Sequence, residues 1–128
     1  MEIGKVPENV LKRSILKQIK TKRPEVLVGA DVGEDCAIIG LEPDEVMVLS
    51  TDPITGTTKE MGRWAVMISA NDIASSGAEV IGVLVCALLP PRIREIKIRE
   101  MMQEIESCCQ ELNIQVVGGH TEITDAVT

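Results

Sequence analysis

The stretch Glu79–Val117, EVIGVLVCALLPPRIREIKIREMMQEIESCCQELNIQVV, decides the fold. Glu79 to Leu89 is a continuous apolar run stopped by Pro90-Pro91, which reads as a buried strand. Ile98, Met101, Met102, Ile105, Cys108, Cys109 and Leu112 then recur at i, i+3, i+4, i+7 spacing, the mark of an amphipathic helix. Its methionines fit irregular gaps in a core. Ile114 to Val117 is a second, shorter apolar run. Strand, helix and strand in that order predict a sheet covered by helices.

Working back toward the N-terminus, Lys59 to Ser76 reads as a helix rich in small residues (Gly62, Ala65, Ser69, Ala70, Ala74) that can lie close to its neighbours. Cys36 to Ile39 and Val46 to Leu49 read as short buried strands joined by the turn Glu42-Pro43-Asp44. Pro7-Glu8 opens a helix through Lys20, with Val10, Leu11, Ile15 and Ile19 on one face, and Pro24 lies beyond its end. The expected order is α-β-β-α-β-α-β. At 128 residues the chain is one domain, 1–128.

Composition narrows the function. Lys plus Arg is 13 against 20 Asp plus Glu, a net charge of −7, and Trp64 is the only aromatic residue. Nucleic-acid binders need cationic surfaces for phosphates and aromatic platforms for bases, so that class is excluded. Six of the basic residues fall between Lys12 and Arg23, a run for which a solvated helix face is the simplest account. The longest apolar stretch, Val80 to Leu89, has ten residues, and a bilayer needs about 20. With no apolar signal core in MEIGKVPENV, the expected compartment is the cytoplasm. Cys36, Cys86, Cys108 and Cys109 form no CxxC, and one histidine cannot complete a zinc site from ligands so scattered. All four cysteines are expected in strands or on a buried helix face.

Four polar clusters remain, each at or near the end of an expected element: Gly33-Glu34-Asp35, Thr51-Asp52, Asn71-Asp72 and the turn Gly118 to Glu122. Asp72 falls near a helix C-terminus, where a carboxylate opposes the macrodipole at a cost on the order of 0.3–1 kcal/mol unless a cation compensates. Carboxylates drawn together from separate elements repel one another unless a divalent ion sits among them, and Mg²⁺ takes such oxygen ligands together with phosphates. Glycine-rich turns beside them free backbone N–H groups for phosphate oxygens. Taken singly, each cluster has an ordinary structural reading as turn, cap or solvated loop. The chain carries no P-loop lysine motif, no G-x-S-x-G and no H-E-x-x-H.

In this order the clusters resemble a known family. Gly33-Glu34-Asp35-Cys36-Ala37, then Ser50-Thr51-Asp52, then Ala70-Asn71-Asp72-Ile73-Ala74 with Gly77-Ala78, then Gly118-Gly119-x-Thr121 are similar to the N-terminal domain of the AIR synthase-related superfamily. That superfamily includes aminoimidazole ribonucleotide synthase, thiamine-monophosphate kinase, selenophosphate synthetase and the hydrogenase-maturation carbamoyl dehydratase. STDPITG, SANDIASSGA and GGHTEIT look closest to the hydrogenase-maturation branch.

The resemblance implies an α/β (α+β) fold: a four-stranded mixed sheet with helices on one face, pairing sheet-to-sheet in a homodimer. It implies ATP and Mg²⁺ as cofactors, Asp35, Asp52 and Asp72 as Mg²⁺ ligands, and Asn71 beside them. Gly33, Gly118, Gly119 and Thr121 would face the nucleotide. Where the family has an acidic residue after the glycine pair, this chain has His120, a poor Mg²⁺ ligand, so Glu122 is the candidate replacement. The implied chemistry is ATP-dependent phosphorylation or activation of an acceptor, a small molecule or a carbamoyl or thio group that the sequence does not name. The usual C-terminal domain is expected to be absent after Thr128, leaving weak Mg·ATP binding and little turnover. The alternative is a non-catalytic nucleotide-binding or dimerisation module.

Overall fold

The structure is a computed structural model and describes residues 1–55 and 60–128. Two sheets are present among them. Strands β1 (Gly4–Lys5), β5 (Gln115–Ile123) and β4 (Gly82–Leu89) form one sheet in the order β1-β5-β4. β4 and β5 run parallel, while β1 adds antiparallel at the far end of β5, Gly4 opposite Ile123. Strands β2 (Val26–Val28) and β3 (Ile38–Ile39) form a separate antiparallel pair.

The expected four-stranded sheet is therefore corrected to a three-stranded mixed sheet and a two-stranded one. Cys36 and Ala37 lie outside β3, and Val46–Leu49 takes up no strand at all. β1 and β2 have too few residues to leave a period-2 pattern in the sequence, and so were not anticipated.

The central unit follows its sequence closely. Helix α3 (Glu95–Leu112) connects β4 to β5 and buries Ile98, Met102, Ile105, Cys108 and Cys109 of the seven residues its periodicity selects; Met101 is half-buried, and Leu112, at the helix end, is exposed. It ends at Asn113, whose φ of 55° is left-handed, one of the few conformations asparagine tolerates better than most residues. Along β4, Ala87 and Leu89 are buried while Leu84, Cys86 and Leu88 are exposed. One face of this strand is covered, and the other is apolar and open.

Helix α2 (Met61–Ser75) packs on α3 at Gly62, where a Cβ would lie 2.9 Å from Ile105 Cγ1 and 3.1 Å from the Met101 carbonyl oxygen. The expected start at Lys59 lies outside the described residues. At its other end the Ser75 and Ser76 hydroxyls donate to the carbonyls of Asp72 and Ile73, which satisfies acceptors the helix leaves open.

The N-terminal helical segment runs from α1 (Glu8–Val10) through a π turn (Leu11–Ile15) and a 3₁₀ turn (Leu16–Gln18). Ionic contacts tie it to α3. Arg13 donates two 2.6 Å hydrogen bonds to the Glu95 carboxylate, and the fully buried Ser14 hydroxyl and Arg99 donate to the same group. These donors hold the Glu95 carboxyl down to about 2, with Arg13 the leading cause. Further along α3, buried Glu106 accepts through Oε1 from the backbone N–H groups of Lys20 and Thr21, anchoring the chain after the helix.

Candidate functional site

β5 carries the last polar cluster. Gly118 to Glu122 is not a turn but the second half of this strand, paired residue by residue with Leu84 to Leu88 of β4. The register slips by one between Val116 and Gly118, leaving Val117 as a bulge whose Cγ1 would lie 2.9 Å from a Cβ on Gly82. Gly119 has φ 147° and no room for a side chain: a Cβ there would lie 1.9 Å from the Val85 carbonyl oxygen. Glycine at this position is required by the close approach of two parallel strands.

Register partners share a face, so Gly118, His120 and Glu122 lie on the same side as Leu84, Cys86 and Leu88, and Thr121 on the side of buried Ala87. His120 Nε2 and Glu122 Oε2 are 2.6 Å apart, which turns Glu122 toward the histidine. Residues two apart on a strand face the same way, and the pairing follows from that spacing.

The middle clusters meet. The Ser50 hydroxyl donates to Asp72 Oδ2 at 3.4 Å, a long bond that brings Ser50 to the C-terminal half of α2, with Thr51 and Asp52 following it in the chain. Asp52 and Asp72 are both exposed. Asn71, one residue earlier on α2, lines a groove of about 300 Å³ with Arg23, Glu79 and Asn113. There the Arg23 guanidinium is nearly buried, donates to Glu25 at 2.8 Å and lies 3.4 Å from the Glu79 carboxylate. The Glu25 bond raises Arg23 and lowers Glu25 from their ordinary values.

The first cluster stands apart. Gly33, at φ 78°, turns the chain so that Glu34 and Asp35 project into solvent. An open groove of about 440 Å³ runs beside it, lined by Lys22, Val28, Gly29, Asp31, Glu34 and Gln115. Gln115 is buried at its edge and accepts from the Arg23 N–H at 2.6 Å. Arg23 and Gln115 have no signal in the sequence that separates them from other polar residues; only the fold brings them to these grooves.

Among the described residues no hydrogen bond joins Asp35 or Glu122 to the Ser50–Asp72 contact, and no three His, Cys, Asp or Glu side chains gather as a ligand set. The chemistry of the candidate set still suits a hard cation, because every donor is a carboxylate, amide or hydroxyl oxygen. The cysteines do not add to it. Cys36 and Cys86 are exposed, contrary to expectation, whereas Cys108 and Cys109 are buried in the core, with burial pushing the Cys109 thiol up to about 12.

Comparison with known proteins identifies the family and the fold. Residues 33–128 match the family model described as AIR synthase related protein, N-terminal domain. A selenide, water dikinase of Dechloromonas aromatica is 26% identical over 102 residues, 77% of this chain and 29% of that protein. A provisionally named hydrogenase expression/formation protein of Methanocaldococcus jannaschii is 23% identical over 128 residues, 97% of this chain and 38% of that protein. The chain thus spans well under half the length of these relatives. The crystal structure of a thiamine-monophosphate kinase from Stenotrophomonas maltophilia superposes with a TM-score of 0.71 at 20% identity, covering 93% of this chain and 39% of that one, and shares its fold. With three-quarters of its residues and all four polar clusters inside the family model, the chain belongs to the AIR synthase related protein family through that family's N-terminal domain.

Proposed function

We propose that this chain is the Mg·ATP-binding N-terminal domain of an AIR synthase-related enzyme of the hydrogenase-maturation type, which uses ATP to phosphorylate or activate an acceptor. The observation that carries the reading is the Ser50–Asp72 contact, which ties the segment leading into Asp52 to the helix that carries Asp72. Relatives are named as a dikinase and as a kinase, names for phosphoryl transfer, and this supports ATP as the phosphoryl donor here.

In this reading Asp52 and Asp72, with Asp35 and Glu122, would hold Mg²⁺. The ion supplies positive charge against the phosphate oxygens as negative charge develops on them. The chain's own work is positional. Ser50 donates to the Asp72 carboxylate, Gly33 turns Asp35 outward, and Asn71, next to Asp72 in the chain, lines the adjoining groove. Transfer further requires an acceptor in line with the γ-phosphate and exclusion of water. The candidate aspartates here are exposed, so residues outside this domain would form that enclosure in the whole enzyme. The protein is further read as a cytoplasmic homodimer. No helix among the described residues is long and apolar enough to cross a membrane.

Calorimetric titration with Mg·ATP tests the assignment. Asp72→Asn should remove binding while leaving thermal stability within about 0.5 kcal/mol, the usual range for an exposed substitution. Unchanged Mg·ATP affinity in the variant would reduce Asp72 to a polar residue of the helix surface and overturn the reading.

A further inference from the structure

The groove beside β2 contains a donor that the fold does not use. Gln115 is 3% exposed, and the Arg23 N–H donates to its Oε1 at 2.6 Å, which settles which end of the amide is nitrogen. Nε2 then lies against Gly29, where a Cβ would be 2.9 Å from it. Among the described residues this nitrogen donates to no acceptor. Gln115 lines the open groove of about 440 Å³, so the N–H groups of a side chain otherwise buried face a space of ligand size.

The groove is divided by charge. Lys22 precedes Arg23, whose N–H meets Gln115, and its exposed ammonium forms no ion pair among the described residues. Asp31 and Glu34 share one turn, in which the Glu34 N–H donates to the Asp31 carbonyl at 3.2 Å. Both carboxylates are exposed, and neither takes part in a salt bridge among the described residues. Val26 and Val28 add apolar wall. Asp31 follows Gly29 by two residues, so the acidic end begins within about 7 Å of the amide end.

An anion alone would meet two carboxylates here, and a cation alone would leave Gln115 and Lys22 unanswered. A molecule carrying both charges satisfies each end. The ammonium nitrogen and carboxylate carbon of an α-amino acid share one carbon, and a hydrogen bond of about 3 Å on either side carries that head group across the span. We propose that this groove binds a free α-amino acid with an apolar side chain. Its carboxylate accepts from Gln115 Nε2 and Lys22 Nζ, its ammonium donates to Asp31 and Glu34, and its side chain lies on Val26 and Val28. The site does not depend on the Mg·ATP reading.

The test follows the Gln115 side-chain amide by nuclear magnetic resonance while the isotope-labelled chain is titrated with alanine, valine and leucine. Leucinamide lacks the carboxylate and isocaproate lacks the ammonium, yet both keep the leucine tail. At least one amino acid should shift the Gln115 amide saturably. For leucine, each analogue should bind about tenfold more weakly, the usual loss with one charge-assisted hydrogen bond. Lys22→Gln should weaken leucine by about the same factor and leave leucinamide unchanged, and Glu34→Gln should weaken leucine and leave isocaproate unchanged. Gly29→Ala sets a methyl against Nε2 at a position without positive φ, and should remove binding with the circular dichroism unchanged. No saturable shift of the Gln115 amide with any of the three amino acids overturns the proposal. So do analogues that match leucine, which would mean unselective apolar adsorption, and so does leucine affinity unchanged in both Lys22→Gln and Glu34→Gln.

Discussion

Two regions of this molecule are about equally rich in apolar residues and behave oppositely. Val83 to Leu89 of β4 alternates between a covered and an open face, because α3 returns the chain to lay β5 beside it. Val46 to Leu49 is as apolar but forms no strand, and Val46 and Leu49 are largely exposed. The difference is not in the side chains. A strand needs a hydrogen-bonding partner and a surface to cover it, and only one of these segments has both within the chain. Function divides along the same line. The rigid βαβ unit holds Gly118 to Glu122 in register, while Asp35 and Asp52 ride on segments with little regular structure.

That contrast can be broken most forcefully at Gly119. Gly119→Ala sets a methyl 1.9 Å from the Val85 carbonyl oxygen at a φ of 147°, so the parallel ladder must part. The expected loss is about 4 kcal/mol or more, in the range reserved for severe core disruption. Urea denaturation measures it, and a loss under 1 kcal/mol would show that β4 and β5 do not approach so closely.

A smaller effect comes from the ionic tie between the N-terminal segment and α3. Glu95 sits at about 2 when folded, against 4.5 for an unperturbed carboxyl, mainly through the Arg13 hydrogen bonds. Its contribution is therefore fully present above the unfolded value and is lost as pH falls from 4.5 toward 2. Solvent screening of this surface network keeps the effect modest. Thermal melts of the native chain and Glu95→Gln should converge as pH drops through that window; a constant difference across it would remove Glu95 as the titrating group.

The smallest effect is expected in the exposed segment. Leu49→Ser should change the stability of the dilute protein by no more than about 0.5 kcal/mol, because Leu49 is 81% exposed. A loss near 2 kcal/mol, typical of a buried leucine, would place the segment inside a core.

Much of the fold was legible in the sequence where one periodicity persisted long enough. Ile98, Met102, Ile105, Cys108 and Cys109 repeat over about three turns and are all buried, while Leu112, the last of the pattern, is exposed where the helix ends. Trp64, Asn71 and Asp72 fall on α2 as its pattern of small residues predicted. The polar clusters were legible too, by their order along the chain, and the family match covers all four. Gly118 to Glu122 was misread because paired glycines usually signal a turn, and here they serve a close crossing of strands. β1 and β2 were missed because two or three residues carry no period.

By itself the sequence determined the βαβ unit, the family and the identities of the candidate oxygen donors, because helix periodicity and motif order are local properties written in side-chain chemistry. Tertiary structure alone decided that Ser50 meets Asp72, that Arg23 is enclosed by Glu25 and Glu79, and that residues 46–49 form no strand. Those outcomes depend on which elements become neighbours, and hydrophobicity names what should be buried without naming what will bury it.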